Sequence, residues 1–457
     1  MNPKEHLTNK AQLINYILSG CKPKNTHKVG VEFESFLYNK ADFTPVAYEY
    51  SNDEADGGNQ HNIKGILNAF DKKKWQPVIE NGFIIGLAGA TGAISLEPAG
   101  QFEYSSNPVS NLNDLNTLVQ LYFKEVLPIL EDKNIGIFTL GFNPKYDLKD
   151  LPLMPKDRYN FMYNYMPKVG SLGQRMMKQT CTLQTNMDFS SEDDLAKKFK
   201  ASLYLQPLVA AMYANSPLIN GKLSNYLTYR SQIWLDTDNQ RSGLLPFAFT
   251  GDFNIEKYVD YALTVPMYFV KREDHYLKIP QITFQSFLSG EVKLKDNQGK
   301  EIIPILADFI LHLSTLFPDV RLKTYIETRS ADCPDQNYLL SLSALFVGLL
   351  YDDAALDNAY NLVNKWQYKD LMVLKQAIPT KGLELSLYGK SLKDINKEIL
   401  ALANLGLKNR NLGEETHLST LTNLVNKEET LAQQKIELFN KLDQDINIFI
   451  ENISIKS

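Results

Sequence analysis

TGAISLEPAGQFEYS, residues 91–105, reads as two short strands, Ile94–Glu97 and Gln101–Ser105, turned on Pro98-Ala99-Gly100. Glu97 and Glu103 lie six residues apart with Gln101 between them. An even spacing puts side chains on one face of extended chain, less strictly across a turn. Two carboxylates on one sheet face repel unless a cation lies between them, and the candidates are a metal ion or a buried arginine.

The same style recurs on both sides. Upstream, Lys28–Asn39 (KVGVEFESFLYN) alternates as a strand, with Glu32 and Glu34 on one face and Phe33 on the other. A polar loop at Ser51–Asn62 precedes a helix over Asn62–Asp71 and a hairpin of Val78–Glu80 and Phe83–Ala88 around Asn81-Gly82. Downstream, Asn111–Lys133 predicts a long helix and Ile135–Phe142 a buried strand. Gln179–Phe189 (QTCTLQTNMDF) alternates again, and Ser190 or Ser191 caps a helix running toward Ala214. Tyr229–Asp236 and Val265–Val270 read as further strands, and Leu306–Phe317 as a helix. Val320–Arg329 (VRLKTYIETR) reads as a strand carrying Glu327 and Arg329, and from Leu339 onward the pattern is helical. Strands and helices are segregated, which predicts an α+β fold with a largely antiparallel sheet. No repeat or linker divides the chain, so a single catalytic domain is expected over 1–457, sheet-based over 1–338 and mainly helical over 339–457.

The 457 residues, 44% of them hydrophobic, suffice for a real core. A net charge of -5 with interspersed signs and no basic tract speaks against nucleic acid as a partner. The longest uncharged apolar run, Tyr338–Tyr351, includes too few residues to span a bilayer. Cys21, Cys181 and Cys333 are too few and too scattered for a disulfide framework, and Cys181 reads as a packed thiol. The opening MNPKEHLTNK has no apolar core of the signal-peptide kind, so a soluble protein of a reducing compartment is expected.

Glu32, Glu34, Glu97, Glu103, Gln184, Asn186, Glu327 and Arg329 all fall on predicted strands, where inward positions are normally apolar. Magnesium takes oxygen ligands and is usually held by one or two carboxylates plus phosphate and water. Five such carboxylates would therefore hold more than one Mg²⁺, an arrangement suited to ATP. Neither a glycine-rich phosphate loop nor the kinase motif set is present. Pattern alone leaves the bland readings open: Glu32 and Glu34 on a solvated sheet face, Arg158, Arg230, Arg241 and Arg329 in ordinary ion pairs.

Longer blocks narrow the choice. ISLEPAGQFEYSSNP (94–108), LMPKDRYNFMYNYMPKVG (153–170), MMKQTCTLQTNMDFSSEDD (176–194), YRSQIWLDTDNQRSGLLPF (229–247) and FPDVRLKTYIETRSAD (317–332) resemble the plant-type glutamate–cysteine ligase family, which also occurs in bacteria. The resemblance implies a funnel-shaped antiparallel sheet flanked by helices, related to the catalytic domain of glutamine synthetase. It implies that ATP phosphorylates the γ-carboxylate of L-glutamate and that the L-cysteine amine displaces the phosphate, giving γ-glutamylcysteine, the first step of glutathione synthesis. A ligase using a different amine acceptor is the alternative. It also implies Mg²⁺ ligands at Glu32, Glu34, Glu97, Glu103 and Glu327, glutamate-binding arginines at Arg158 and Arg230, and a phosphoryl-neutralising Arg329. Thr185, Phe189 and Tyr268 are implied to line the cysteine pocket, with Gln184 and Asn186 as polar orienters and Arg241 as a further anion contact. This chain departs from the family pattern at Gln179, where relatives carry arginine, and at ETRSADCPD (327–335), which replaces a more glycine-rich loop. The cysteine pairs of the plant redox switch are missing, and so is a transit-like leader. A bacterial, cytoplasmic enzyme is therefore expected, monomeric, with a dimer as the alternative and small molecules rather than nucleic acid or membrane as partners.

Overall fold

The computed structural model describes residues 2–49, 61–251, 253–273 and 275–456, so the loop expected at Ser51–Asn62 lies outside the described residues except for its last two. Nine strands form one sheet: β1 (Val29–Asn39), β2 (Trp75–Glu80), β3 (Phe83–Gly89), β4 (Gly92–Leu96), β5 (Phe102–Ser106), β6 (Ile135–Phe138), β7 (Thr182–Met187), β8 (Val320–Leu322) and β9 (Ile326–Asp332). Their order is β8-β9-β7-β1-β5-β4-β3-β2, with β6 paired to the far half of β1, and every pairing is antiparallel. The helices that bear on the site are α1 (Leu112–Asp132), α2 (Asp157–Tyr165), α3 (Gly173–Gln179), α4 (Glu192–Met212), α5 (Tyr229–Trp234), α6 (Ser341–Leu350) and α7 (Leu392–Asn409). This is the α+β, largely antiparallel architecture with a helical C-terminal part that the sequence predicts.

The sheet has a dry face and a wet face, set by the period-2 alternation of its strands. On the dry face Phe33 of β1 packs edge-on to Tyr122 and flat against Phe123, both of α1, and Tyr104 of β5 stacks on Tyr122 at 4.3 Å. Burying such rings completely contributes about 2–3 kcal/mol each, so this face anchors the sheet to α1. Every residue of α6 is buried, and its Ser343 donates to Thr185 of β7 on the same side. α6 and α7 cross backbone to backbone: a Cβ on Gly348 would lie 2.2 Å from the Ala403 carbonyl oxygen. One contiguous core links residues from Leu7 to Ile450.

Three elements differ from the sequence reading. Tyr229–Asp236 is not a strand: Thr228 caps a helix there, its side chain accepting from the Ser231 N–H. Six residues with apolar Tyr229, Ile233 and Trp234 fit helical spacing as well as an alternating pattern, and the cap decides. Val320–Arg329 is a hairpin rather than one strand, with Arg321 of β8 directly across from Glu327 of β9. Only the end of Val265–Val270 is extended, as part of a two-stranded ribbon of Phe269–Arg272 with His275–Lys278, apart from the main sheet.

Candidate active site

The turn at Pro98-Ala99-Gly100 builds the corner of the site. The Glu97 carbonyl accepts from Gly100, and the Glu97 N–H donates to the Gln101 carbonyl. Gly100 sits at φ 85°, a left-handed position that glycine takes without strain. Glu97 is thereby held at the end of β4 rather than within it, while the Gln101 side chain is spent on Ala99, Met177 and Thr180 backbone groups.

On the wet face, Ser95 of β4, Glu103 of β5 and Glu34 of β1 stand directly across from one another on three adjacent strands. Ser95 donates to Glu103, and the Thr182 N–H donates to Glu34 at 2.9 Å. Two positions along β1, Glu32 faces Gln184 of β7 and accepts from Asn186 Nδ2 at 2.6 Å. Among the described residues none of Glu32, Glu34, Glu97 and Glu103 has an ion-pair partner. Burial pushes Glu32 up to about 7, with Glu327 and Glu103 adding to the rise. Glu34 is driven well above the usual carboxylate range by burial, then by Glu97 and Glu103. Glu103 moves the same way through burial and Glu97.

Cations face this acid row without neutralising it. The cleft, about 300 Å³ and open to solvent, is lined by Arg158 and Tyr159 of α2, Met176 and Met177 of α3, and Arg230 and Trp234 of α5, with Arg329 of β9. Arg158 Nε, Arg230 Nε and Trp234 Nε1 are buried donors without a partner among the described residues. Lys156 reaches the back of the same cleft, donating to the Leu96 carbonyl at 3.0 Å and to the Tyr159 hydroxyl, which in turn donates to Leu96 and approaches Glu97 at 3.2 Å.

Glu327 behaves differently from the other acids. Arg321 and Arg329 hold one of its oxygens, at 2.7 and 2.5 Å, and Lys323 and Arg321 hold the other, at 3.3 and 3.0 Å. Burial alone would raise this carboxyl, but Arg321, Lys323 and Arg329 together hold it far below the usual range. The resemblance implied Glu327 as a metal ligand; in this structure its lone pairs are taken by three cations, and it is the hub of an ion-pair cluster. Arg329 completes the cluster by donating to Gln184 at 2.6 Å. Arg321 and Lys323 were legible in VRLKTYIETR: they share parity with Glu327 and Arg329, so a strand reading already sets all four on one face.

Of the residues implied by the resemblance, Glu32, Gln184, Asn186 and Glu327 share the wet face but do not line the cleft, and Thr185, Phe189, Arg241 and Tyr268 lie apart from it. Thr185 points to the dry face, donating to the Gly30 carbonyl at 3.2 Å and accepting from Ser343, because it alternates with Gln184 and Asn186. Phe189, beyond the end of β7, is fully buried in the core. Arg241 was expected as an anion contact, but its guanidinium is spent on Asp238 and on the Thr315 and Pro266 carbonyls. Tyr268 lies flat under that guanidinium, 3.9 Å from ring centre to Cζ, with Tyr165 on its edge. Cys181 is packed as expected. It lies next to Cys333, whose N–H donates to the Cys181 carbonyl, and burial pushes both thiols well up.

Glu32, Glu34, Glu97 and Glu103 offer hard oxygen donors with no resident counter-cation, which suits Mg²⁺ better than a soft metal. Among the described residues no three of His, Cys, Asp and Glu converge into a cage for an ion. An ion here would need substrate and water oxygens to complete its shell, which is the way magnesium is usually held.

An antiparallel sheet with a repelling carboxylate row beneath the guanidinium groups of Arg158, Arg230 and Arg329 defines a site that gathers anionic substrates. The chain belongs to glutamate–cysteine ligase family 2, whose model matches residues 28–440. It is 42% identical over 431 residues to the chloroplastic glutamate–cysteine ligase of Nicotiana tabacum, covering 94% of this chain and 80% of that one. It is 40% identical over 430 residues to the chloroplastic glutamate–cysteine ligase B of Oryza sativa subsp. japonica, covering 94% and 84%. The fold is similar to a crystal structure of glutamate–cysteine ligase from Francisella tularensis in complex with AMP, with a TM-score of 0.57 at 11% identity, covering 95% of this chain and 88% of that one.

Proposed function

We propose that this protein is an ATP-dependent ligase that joins the γ-carboxylate of L-glutamate to the amine of L-cysteine through a γ-glutamyl phosphate. The observation that carries the reading is the row of Ser95, Glu103 and Glu34 facing Arg158, Arg230 and Arg329 across one cleft. The family and its curated relatives support the same reaction.

Each group has a distinct task. Arg158 and Arg230 present guanidinium donors that suit the carboxylates of glutamate. Arg329, aimed by Glu327 and Gln184, faces negative charge that builds on the transferring phosphoryl group. Glu32, Glu34, Glu97 and Glu103 are the residues that would hold Mg²⁺, which when bound supplies the positive charge that lets two anions approach. Holding both partners in line, rather than a covalent enzyme nucleophile, carries the acceleration. The unreactive, buried state of Cys181 is consistent with that. Free Cys21, Cys181 and Cys333 support a reducing, cytoplasmic location.

The inward turn of Thr185 and Phe189 leaves the acceptor amine less defined than the glutamate side, which favours keeping a different amine as the second reading. The test is ADP release with Mg²⁺, ATP and L-glutamate, with and without L-cysteine, and with 2-aminobutyrate as a thiol-free analogue. Cysteine-stimulated release with γ-glutamylcysteine as product is expected. Release stimulated by neither amine moves the second reading forward, and no ADP at all overturns both.

A further inference from the structure

Arg230 is almost completely buried, yet its guanidinium makes no close ion pair. What fixes it is the backbone of β9. Opposite β7 the register of β9 jumps from Thr328–Thr185 to Ala331–Leu183, so Arg329 and Ser330 form a bulge with one residue too many. The bulge turns two carbonyls toward α5: Arg230 Nη2 donates to Arg329 O at 2.8 Å and Nη1 to Ser330 O at 3.3 Å. Arg230 lines the cleft, and its Nε has no hydrogen-bond partner among the described residues.

Asp332, two residues after the bulge, is buried and does not line the cleft. Its carboxylate accepts from the Asn215 N–H at 2.9 Å, the Ser216 hydroxyl at 2.7 Å and the Thr228 hydroxyl at 3.0 Å, and lies 3.9 Å from Arg230 Nη1. Ser216 in turn accepts from the Arg230 N–H at 3.2 Å, and Thr228 is the cap of α5. One carboxylate therefore ties the end of β9, which carries Glu327 and Arg329, to the start of α5, which carries Arg230 and Trp234. It also places a carboxylate 3.9 Å from the guanidinium without itself lining the cleft. Gly141 packs against this carboxylate so closely that a Cβ there would lie 2.3 Å from Asp332 Cγ, so the acid has no room to shift.

We propose that Asp332 is a positioning residue for glutamate: it fixes Arg230 in the bulge so that the free edge of the guanidinium meets the substrate carboxylate. The proposal rests on the reading of Arg230 as a glutamate contact, and the experiment separates the two. KM for L-glutamate, ATP and L-cysteine, together with kcat and the melting temperature, are measured for Asp332→Asn, Arg230→Lys and the double variant. Asp332→Asn is expected to raise KM for glutamate about tenfold while KM for ATP stays within about twofold, as expected when one contact is misplaced rather than the fold lost. Because Asp332 acts through Arg230, the double variant should be no worse than Arg230→Lys alone. An unchanged KM for glutamate in Arg230→Lys overturns the glutamate contact itself. A raised KM in Arg230→Lys with an unchanged KM in Asp332→Asn, or additive effects in the double variant, overturns the role of Asp332. If Asp332→Asn does not fold, Ser216→Ala, which removes one donor from the carboxylate, decides: a selective rise in KM for glutamate supports the proposal and no rise overturns it.

Discussion

Glu103 and Glu327 lie on the same wet face, and their surroundings predict opposite responses to the same change. Glu103 stands across from Glu34, takes only the Ser95 hydroxyl among the described residues and has its carboxyl raised by burial and Glu97. Its charged form is unfavourable in the metal-free fold. Glu103→Gln is expected to leave the metal-free protein as stable or more stable in urea at pH 8, and to lower ADP release by about 100-fold or more, the scale of a lost metal-held charge. Near-normal turnover would take Glu103 out of the metal-binding set. Glu327 is the reverse case, a buried carboxylate that three cations depend on. Removing one member of such a cluster strands buried charge, so Glu327→Gln should destabilise by about 3–5 kcal/mol in a urea melt. A Glu327→Gln variant as stable as the parent, with turnover lost, would return Glu327 to the metal ligands.

At the scale of elements, the site depends on how firmly the dry face is held. α6 closes that face and is itself pressed against α7 at Gly348 and Gly406, where no side chain fits between the two backbones. Gly348→Ala forces a methyl against the Ala403 carbonyl and is expected to cost about 1–3 kcal/mol in urea unfolding, with KM for ATP and glutamate little changed in the folded fraction. No loss of stability would show that the helices separate without strain. The same scale explains what the sequence could and could not show. The alternation of VGVEFESF and the parity of Glu97, Glu103, Glu327 and Arg329 are local properties, so the wet face is legible in the sequence itself. The hand-over of Tyr229–Trp234 from strand to helix depends on Thr228 and its tie to Asp332, a residue 104 positions away in the chain, and no local pattern carries that. Thr185 and Phe189 were placed by resemblance, and alternation along β7 argues against Thr185, since Gln184 and Asn186 already occupy the wet side. The bulge at Arg329-Ser330 is likewise a matter of pairing, visible only when β7 lies beside β9.

For the whole molecule these local charges combine into a pH dependence with a definite sign. Glu32 titrates near 7 in the folded protein against 4.5 in the free side chain, and Glu34 and Glu103 are shifted in the same direction. A raised carboxyl makes the folded state bind more protons, so its stabilising contribution is complete below the unfolded value and is lost as pH rises through the folded one. Glu327 has the opposite shift, and its contribution disappears only in strong acid. His27 and His312 also run the other way: burial pulls both below 6.5, His312 to about 3, so their contribution grows with pH and is complete above 6.5. The histidines have dropped out above 6.5, so the acid row is read from about pH 6.5 to 8. In that window the melting temperature of the metal-free protein should fall as pH rises, and Glu32→Gln should flatten the slope. Mg²⁺ with a non-hydrolysable ATP analogue binds the ionised acids and so displaces protons, which makes its stabilising effect larger at pH 8 than at pH 6.5. Thermal melts of parent and Glu32→Gln across this window, with and without Mg²⁺ and the analogue, read both effects at once. A metal-free melting temperature that climbs toward pH 8, or a Mg²⁺ effect that shrinks there, would mean that the carboxylates of the sheet are already neutralised from within the chain, leaving no charge for a metal to bind.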